Sequence, residues 1–366
     1  MNGSGFGKAS GNSRHALTPA QQESVLAELA SRIGQLPVGE RAAAFDEMSG
    51  GIRALSSRRG GPLARLALSI ESLPEPREHA YSQALQLLDD SWRTGAITPD
   101  GSAGVLTALA QATPALSPDA QAREIPALLP RLRNVQPELR AFALGQLGAM
   151  RDIPPGIAAS TYRSVLNETQ ALDPRARGEA LKGLALGVTQ LTPPETCLAE
   201  CNKLIDAGRG ASSEHNVHML ANLSLAVGSV LEESRAALFN TILDAFNADP
   251  HDPMSETGLG YLATQPGQLP EGDRLAAFDR LHAAIGGMEN SPMKAAAVEK
   301  FATVISHLPQ AVRFSHYVQV GKLLASLSPD LQENAARSLG AQANNLTPAE
   351  KAQVIAFLQR KLANEG

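Results

Sequence analysis

Two cysteines and two histidines have the spacing in this sequence that comes nearest to a metal site. Cys197 and Cys201 are followed by His215 and His218, so two thiols and two imidazoles fall within 22 residues. Zinc binds such ligands in a tetrahedral arrangement. The histidines are closer together than in zinc-finger patterns, however, and cysteine is a common small core residue. We therefore predict packing roles and no metal or other cofactor, with these four residues as the candidates if a metal does bind.

Local signatures of catalysis are missing from the sequence. It has no Gly-x-Ser-x-Gly elbow, no glycine-rich phosphate loop with lysine, and no His-Glu-x-x-His segment. The pairs Gly50–Gly51, Gly60–Gly61 and Gly286–Gly287 are interpreted as turns between helices. We predict that the protein is not an enzyme. A site assembled from distant residues stays the alternative.

The composition favours helices and argues against several classes of function. Of 366 residues, 43% are hydrophobic but only 4% are aromatic, which suits helices that pack through alanine and leucine. A formal charge of −5 offers no basic excess for binding a run of phosphates, so we expect no nucleic-acid partner. Two cysteines exclude a disulfide scaffold and indicate a reducing compartment. No apolar run approaches the ~20 residues that span a bilayer.

One sequence phrase recurs along the chain: Leu-x2-Leu-x3-Ile/Val-x2-Leu, usually followed by proline. We call its last residue the anchor and number other positions as offsets from it. The anchors are Leu36, Leu73, Leu116, Ile153, Leu191, Val230, Leu269, Leu308 and Leu346. Apolar residues at offsets −10, −7, −3 and 0 share one face of a first helix, helix A. A second stripe at +9, +12 and +16 predicts helix B.

The anchors lie 37 to 39 residues apart, apart from one interval of 43. That interval contains residues 94–101, which are rich in Gly, Thr and Pro and are interpreted as an inserted loop. The fourth copy shows a one-residue slip in helix A. Proline after each anchor ends one helix and is accepted in the first turn of the next. A helix pair cannot bury its apolar stripe alone, so the copies must stack.

The sequence therefore predicts an all-α fold, a right-handed α-solenoid of about nine two-helix repeats of 38–39 residues, over residues 19–366. Residues 1–18 are Gly- and Ser-rich, and we predict that they are disordered.

A cation recurs at offset +5 and forms a predicted basic ladder. Its members are Arg41 in the first copy and then Arg235, Arg274, Arg313 and Lys351 in four consecutive copies. Cations are unfavourable at the start of helix B, so something must compensate them. One interpretation is ion pairing within the array, for example with Glu40, Asp273 and Glu350. The other is that the ladder binds an acidic segment of a partner through arginine forks.

The leucine-rich A and B helices and their period resemble HEAT and armadillo-type α-solenoids over nearly the whole chain from about Thr18. This resemblance implies a concave surface, typically lined by helix B, that holds a partner. The flexible Gly- and Ser-rich start ahead of a solenoid also resembles bacterial type III secreted effectors of plant pathogens. That second resemblance implies a bacterial cytoplasmic protein that is delivered into a host cell.

We therefore predict a non-enzymatic interaction scaffold that binds a protein or peptide, including a host protein if the chain is delivered. The alternative is an effector or a helical-repeat enzyme with its own activity, for example on nucleic acid. The sequence does not predict the oligomeric state.

Overall fold

The structure is a computed structural model that describes residues 17–149, 154–211, 213–248 and 253–355. Within these ranges every regular element is helical. Contacts divide the chain into two units, Met1–Ser117 and Pro118–Gly366. The N-terminal segment predicted to be disordered lies outside the described residues up to position 16, as do the anchor Ile153 and residues 356–366.

Unit 1 contains five α-helices. They are α1 (Pro19–Ser31), α2 (Val38–Ala54), α3 (Gly60–Ser69), α4 (Glu78–Arg93) and α5 (Pro99–Ala112). The A helices α1, α3 and α5 pack side by side in series, and the B helices α2 and α4 pack against each other. Each A helix also contacts the B helix that follows it where both belong to this unit.

Unit 2 continues the same alternation, with odd-numbered A helices and even-numbered B helices. Its elements are α6 (Pro118–Leu132), α7 (Pro137–Gly148), α8 (Pro155–Thr169), α9 (Pro174–Gly187), α10 (Pro194–Gly208), α11 (Ser213–Leu223), α12 (Glu232–Ala248), α13 (Pro253–Leu262), α14 (Glu271–Gly287), α15 (Pro292–Ala302), α16 (Gln310–Ala325), α17 (Gln332–Gln342) and a helical stretch from 348 to 355. The A helices from α7 to α17 pack in series, each on the next. The predicted all-α solenoid of two-helix repeats is confirmed.

The first repeat shows how the sequence builds each helix pair. Thr18 caps α1, because its side-chain oxygen accepts a hydrogen bond from the Gln21 amide at 3.3 Å. After α1 the chain tightens into a 3₁₀ turn at Ile33–Gln35. The anchor Leu36 is extended, and Pro37 precedes α2. Proline lacks an amide hydrogen and disfavours helical geometry in the residue before it. It therefore fixes the turn between helix A and helix B, which we call the A-to-B corner.

The core follows the two predicted stripes. In the second repeat Leu63, Leu66 and Ile70 of the A stripe are fully buried. In helix B, aromatic residues fill the same role, since Phe239 in α12 and Phe278 in α14 are fully buried at equivalent positions. Burying such side chains stabilises each repeat by about 1.5–3 kcal/mol per side chain.

The interpretation of residues 94–101 as a loop was wrong at its C-terminal end. Helix α4 ends at Arg93, and Gly95 takes a left-handed φ of 68° that reverses the chain. Thr98 then caps α5 through the Gly101 amide at 3.1 Å, and Pro99 occupies the first helical turn. The connection is therefore only residues 94–98.

The interpretation of the glycine pairs as turns was also wrong. Gly50 and Gly51 lie inside α2, and a Cβ on Gly51 would meet the Leu26 side chain at 3.1 Å. Glycine here lets α1 approach α2 closely. Gly60–Gly61 opens α3 and Gly286–Gly287 closes α14.

The helices α7 and α9 approach through glycines. A Cβ on Gly183 would collide with the main-chain carbonyl of Gly145, and one on Gly187 with that of Gly148. Since these obstacles are main-chain atoms, they cannot rotate away. The fourth and fifth repeats are thus held by backbone-to-backbone packing of their A helices.

Candidate functional site

The ladder arginines of the sixth and seventh repeats each join two repeats through main-chain carbonyls. Arg235 donates from Nε to the carbonyl of its own anchor Val230 at 3.2 Å and from Nη1 to the Gln268 carbonyl at 2.9 Å. Arg274 repeats the pattern with Leu269 at 2.9 Å and His307 at 3.2 Å. Gln268 and His307 directly precede the next anchor. Each guanidinium therefore links one A-to-B corner to the following one.

The same arginine bridge occurs in unit 1. Arg41 donates to the Leu36 carbonyl at 2.8 Å and to the Ser72 carbonyl at 2.7 Å. Arg77 donates to the Leu73 carbonyl at 2.9 Å and to the Ala115 carbonyl at 3.0 Å. Arg77 stands at offset +4 rather than +5, so the sequence pattern did not include it.

The last two ladder members differ from this arrangement. Arg313 donates from Nε to its anchor carbonyl at Leu308 at 2.7 Å, but its Nη1 donates to the Gln310 side chain at 2.8 Å. Lys351 is partly exposed, and its amide donates to the Thr347 carbonyl at 2.9 Å. The bridge between successive repeats is therefore described for Arg41, Arg77, Arg235 and Arg274.

These hydrogen bonds explain how cations are accommodated at the start of helix B. The carbonyls at the end of helix A and its 3₁₀ turn lack partners within the helix and carry the negative end of its dipole. An arginine at offset +5 donates to the carbonyl of its own anchor and to the carbonyl that precedes the next anchor. One guanidinium thereby satisfies two carbonyls. The geometry favours a structural role for the ladder. Binding of an acidic partner segment by the ladder stays a prediction.

The four metal-candidate residues lie in two different places. Cys197 and Cys201 are both fully buried in α10. On α11, His215 places Nε2 at 3.5 Å from the Glu179 carboxylate. Among the residues that the structure describes, no group of three or more His, Cys, Asp and Glu side chains is arranged to hold a metal ion.

The cysteine pair forms a buried polar cluster with its neighbours. The two thiols share a hydrogen bond, which lowers the pKa of Cys197 and, together with burial, raises that of Cys201. Burial also raises the pKa of Tyr162, whose hydroxyl donates to the Leu184 carbonyl at 3.0 Å. A neutral thiol at Cys201 behaves as a small core residue.

An exposed apolar pair lies at the C-terminal ends of the A segments of the fifth and sixth repeats, with Leu186 in α9 and Leu225 in the 3₁₀ segment Ser224–Ser229 that follows α11. Leu186 is 39% exposed and Leu225 is 44% exposed, and both stand at offset −5. Asn222 donates from its side chain to the Lys182 carbonyl at 3.0 Å, which joins the two A helices one turn before these leucines. The two side chains therefore lie on neighbouring repeats at the same level.

Charged and polar groups flank these leucines. Lys182 forms an ion pair with Glu179, which also faces His215. Burial and the nearby Lys182 lower the pKa of His218, so this imidazole is neutral near pH 7. We call Glu179, Lys182, Leu186, His218 and Leu225 the A-face patch.

The sequence contains a signal for the A-face patch, which is visible only once the repeat register is known. Offset −5 is exposed and polar in several other repeats, with Ser31, Gln111, Thr264 and Thr303 at this position. Leucine also occurs there as the isolated Leu68, but only the fifth and sixth repeats place leucine at this exposed position consecutively. The half-buried Glu168 and the buried Glu200 had no comparable signal, because their environment depends on packing between repeats.

The chain is an all-α helical-repeat protein. No protein-family model matches it, and no curated protein does. Among solved structures it is similar to an engineered protein from the Northeast Structural Genomics Consortium, at 17% identity and a TM-score of 0.44, over 93% of this chain and 89% of that one. It is also similar to a circular tandem repeat protein with novel repeat topology and enhanced subunit contact surfaces. That match has 13% identity and a TM-score of 0.39, over 94% of this chain and 98% of that one.

The class of protein rests on the serial packing of helix pairs described above. Within the described residues, no helix combines the length and apolar character that crossing a membrane requires.

Proposed function

We propose that this protein is a non-enzymatic interaction scaffold whose A-face patch binds an apolar side chain of a protein or peptide partner. The observation that carries the proposal is the pair Leu186 and Leu225, which are exposed at the same offset of two neighbouring repeats, a position occupied by Ser31, Gln111, Thr264 and Thr303 in four others. Single exposed leucines are common on protein surfaces, whereas contiguous apolar patches rimmed by polar groups mark interaction sites.

The surroundings of the pair suit a peptide. Lys182 and Glu179 lie at its edge and offer a cation and a carboxylate for hydrogen bonds that fix the direction of a bound chain. The neutral His218 adds a polar edge without a charge. Interfaces of this kind combine an apolar centre with a polar rim.

The arginine ladder supports the scaffold indirectly in this proposal. Arg235 and Arg274 fix the spacing of the repeats that follow the patch. A fixed spacing keeps side chains on successive A helices in a constant register, which lowers the ordering cost of binding.

The experiment begins with a peptide library displayed on phage and selected against the full chain. Binding of the selected peptides is then measured by fluorescence polarisation for the natural chain and for the double variant Leu186→Glu with Leu225→Glu. We expect affinity to fall at least ~10-fold, because two carboxylates replace the apolar centre. Unchanged affinity for all selected peptides would place binding elsewhere and reject the proposal.

The matched control is Leu68→Glu. Leu68 stands at the same offset in the second repeat and is 40% exposed, so it receives the same change in charge on the same kind of surface. We expect no loss of affinity. A second comparison, Arg274→Glu with Arg313→Glu, separates the patch from direct binding by the ladder: if the fold stays intact and the affinity is unchanged, the ladder does not bind the peptide.

Three finer predictions also belong to this proposal. They are the HEAT- or armadillo-like kind of repeat, the concave face lined by helix B as an alternative binding surface to the A-face patch, and delivery as a bacterial type III effector into a host cell. The delivery prediction rests mainly on residues 1–18. A fusion of residues 1–18 to a reporter tests it, because failure of export through a type III apparatus would contradict it.

A further inference from the structure

The first repeat exposes a helix face that the other repeats bury. On α1, Val25 is 45% exposed and Leu29 is 47% exposed, at offsets −11 and −7. The residues at offset −7 elsewhere are at most 6% exposed: Leu66, Leu109, Leu184, Leu223, Leu262, Phe301 and Leu339, with Leu147 in the shifted fourth repeat. Those at offset −11 are buried as well: Pro62, Val105, Ala180, Met219, Gly258, Ala297 and Ala335, with Ala143 in the fourth repeat.

The burial pattern identifies this face as the one that receives the preceding repeat. In the ninth repeat, whose A helix packs on α15, Ala335 and Leu339 are buried. In the first repeat the equivalent side chains are exposed. The stacking interface of the array therefore continues onto the surface of α1, where Val25 and Leu29 remain open.

The A helix of the ninth repeat has a different open face. The residue at offset −6 of α17 is Gly340, which is exposed. The corresponding residue is buried in seven other repeats: Ala30, Ala67, Ala110, Ala185, Ser224, Ala263 and Ala302. Beside it, Arg337 and Glu333 form an exposed ion pair at 2.9 Å. The described surface of α17 is thus polar, whereas the open face of α1 is apolar.

A groove beside α1 extends the apolar face. It has a volume of about 350 Å³ between α1 and α2 and is lined by Leu17, Gln22, Val25, Leu26, Gly51, Ala54 and Leu55. Five of these seven side chains are apolar. The groove and the α1 face together offer the surface that an apolar helix needs.

We propose that this face binds the same face of a second copy of the chain, forming a two-fold symmetric dimer through the first repeats. Repeat stacking already shows that these offsets accept an apolar A helix, and α1 of another copy is such a helix. The polar open face of α17 disfavours head-to-tail association, which would need an apolar surface there.

The side chains of α1 are compatible with this symmetry. In an antiparallel pair of α1 helices centred between Val25 and Leu29, each Val25 faces Leu29 of the other copy. Arg32, paired with Glu28 at 2.6 Å, lies at the edge of the face. The apolar contacts are therefore central and the charges lie at the rim, as in stable interfaces. This inference does not depend on the A-face patch.

Sedimentation velocity over a range of concentrations tests the proposal on the full chain. An interface formed by one helix from each copy is small, so we expect a reversible dimer with a Kd on the order of 10 µM. Leu29→Glu should weaken dimerisation at least ~10-fold, because it places two carboxylates in the apolar centre. Leu68→Glu, the same change at an exposed site on α3, should leave the dimer unchanged.

A second measurement does not depend on a charge change. Leu29→Cys, treated with a short thiol-specific cross-linker, should give a covalent dimer, whereas Leu68→Cys should not, and the natural cysteines are buried. A chain that stays monomeric up to about 200 µM, well above the expected Kd, would overturn the proposal. So would a Leu29→Glu chain that dimerises normally. If deletion of residues 1–16 converts a monomer into a dimer, that segment is the natural occupant and the proposal is wrong.

Discussion

Two regions of unit 2 differ in how arginines are used at the turns between helix A and helix B. In the sixth to eighth repeats, Arg235 and Arg274 donate to main-chain carbonyls of two successive corners. In the third to fifth repeats, arginines bind carboxylates: Arg133 and Arg140 both bind Glu168, and Arg163 binds the fully buried Glu200 at 2.8 Å. Lys203 binds the same Glu200 oxygen at 2.9 Å. The sixth and seventh repeats add one such pair, Arg280 with Asp244.

Successive repeats in this chain are therefore joined by two kinds of contact, arginine to main-chain carbonyl and arginine to carboxylate. A carbonyl is present at every corner whatever the sequence, so an arginine bridge requires one residue and can recur at each repeat. A carboxylate pair requires two residues to be placed together and is specific to one location. The region with carboxylates also has the glycine contacts between α7 and α9, which bring its A helices close.

The largest effect is expected from Gly183→Ala, which tests the glycine contact. The added Cβ would meet the Gly145 main chain, so α7 and α9 must move apart, at a cost of about 3 kcal/mol. Urea unfolding followed by circular dichroism measures the loss. Gly260→Ala is the control, because a Cβ there meets nothing within 4 Å. If both variants have the same stability, the close approach is not important for the fold.

Arg274→Met tests the arginine bridge and should have the next largest effect. It removes two hydrogen bonds from a charged donor to the Leu269 and His307 carbonyls, and we expect a loss of about 2 kcal/mol. Arg274→Lys should recover only part of this, since lysine cannot reach both carbonyls with a planar fork. Arg337→Met, at an exposed ion pair, is the control and should change stability by less than ~0.5 kcal/mol.

Glu168→Gln tests whether the destabilisation caused by losing a carboxylate contact depends on pH, unlike that caused by losing an arginine bridge. Hydrogen bonding to Arg133 lowers the pKa of Glu168, so the ionised carboxylate stabilises the folded state. That contribution is complete above the unfolded pKa of about 4.3 and is lost as pH falls through the lower folded pKa. We expect a destabilisation of about 1 kcal/mol at pH 7 that disappears on acidification. The effect of Arg274→Met, which involves carbonyls, should not decline in the same pH range; parallel pH curves would contradict the distinction.

The smallest effect is expected at the junction of the fifth and sixth repeats. Burial and then Lys182 lower the pKa of His218 from its ordinary value. Lys182→Met removes the second cause, so the His218 pKa should rise while remaining below about 6.5. A titration followed by NMR measures this. A pKa that does not respond would mean that Lys182 lies too far from the imidazole to matter.

The repeat and its register could be predicted from the sequence because each apolar stripe is a local pattern with a fixed period. The ladder could also be found, since its members share one offset. What they bind could not be predicted, because Arg274 reaches a carbonyl 33 residues away whose position depends on stacking. The A-face patch required knowledge of which offsets are exposed. The carboxylates Glu168 and Glu200 were not found, because nothing in their local sequence indicates which arginines they bind or that Glu200 is buried.

The bridges of the sixth and seventh repeats make the length of this array adjustable. Arg235 and Arg274 use the same two kinds of carbonyl, and their anchors Val230 and Leu269 are 39 residues apart. Removing residues 231–269 would place Arg274 five positions after Val230, where Arg235 stood, with its second carbonyl at His307 still in reach. Whole repeats can thus be deleted or duplicated here while the corner after Val230 keeps an arginine bridge.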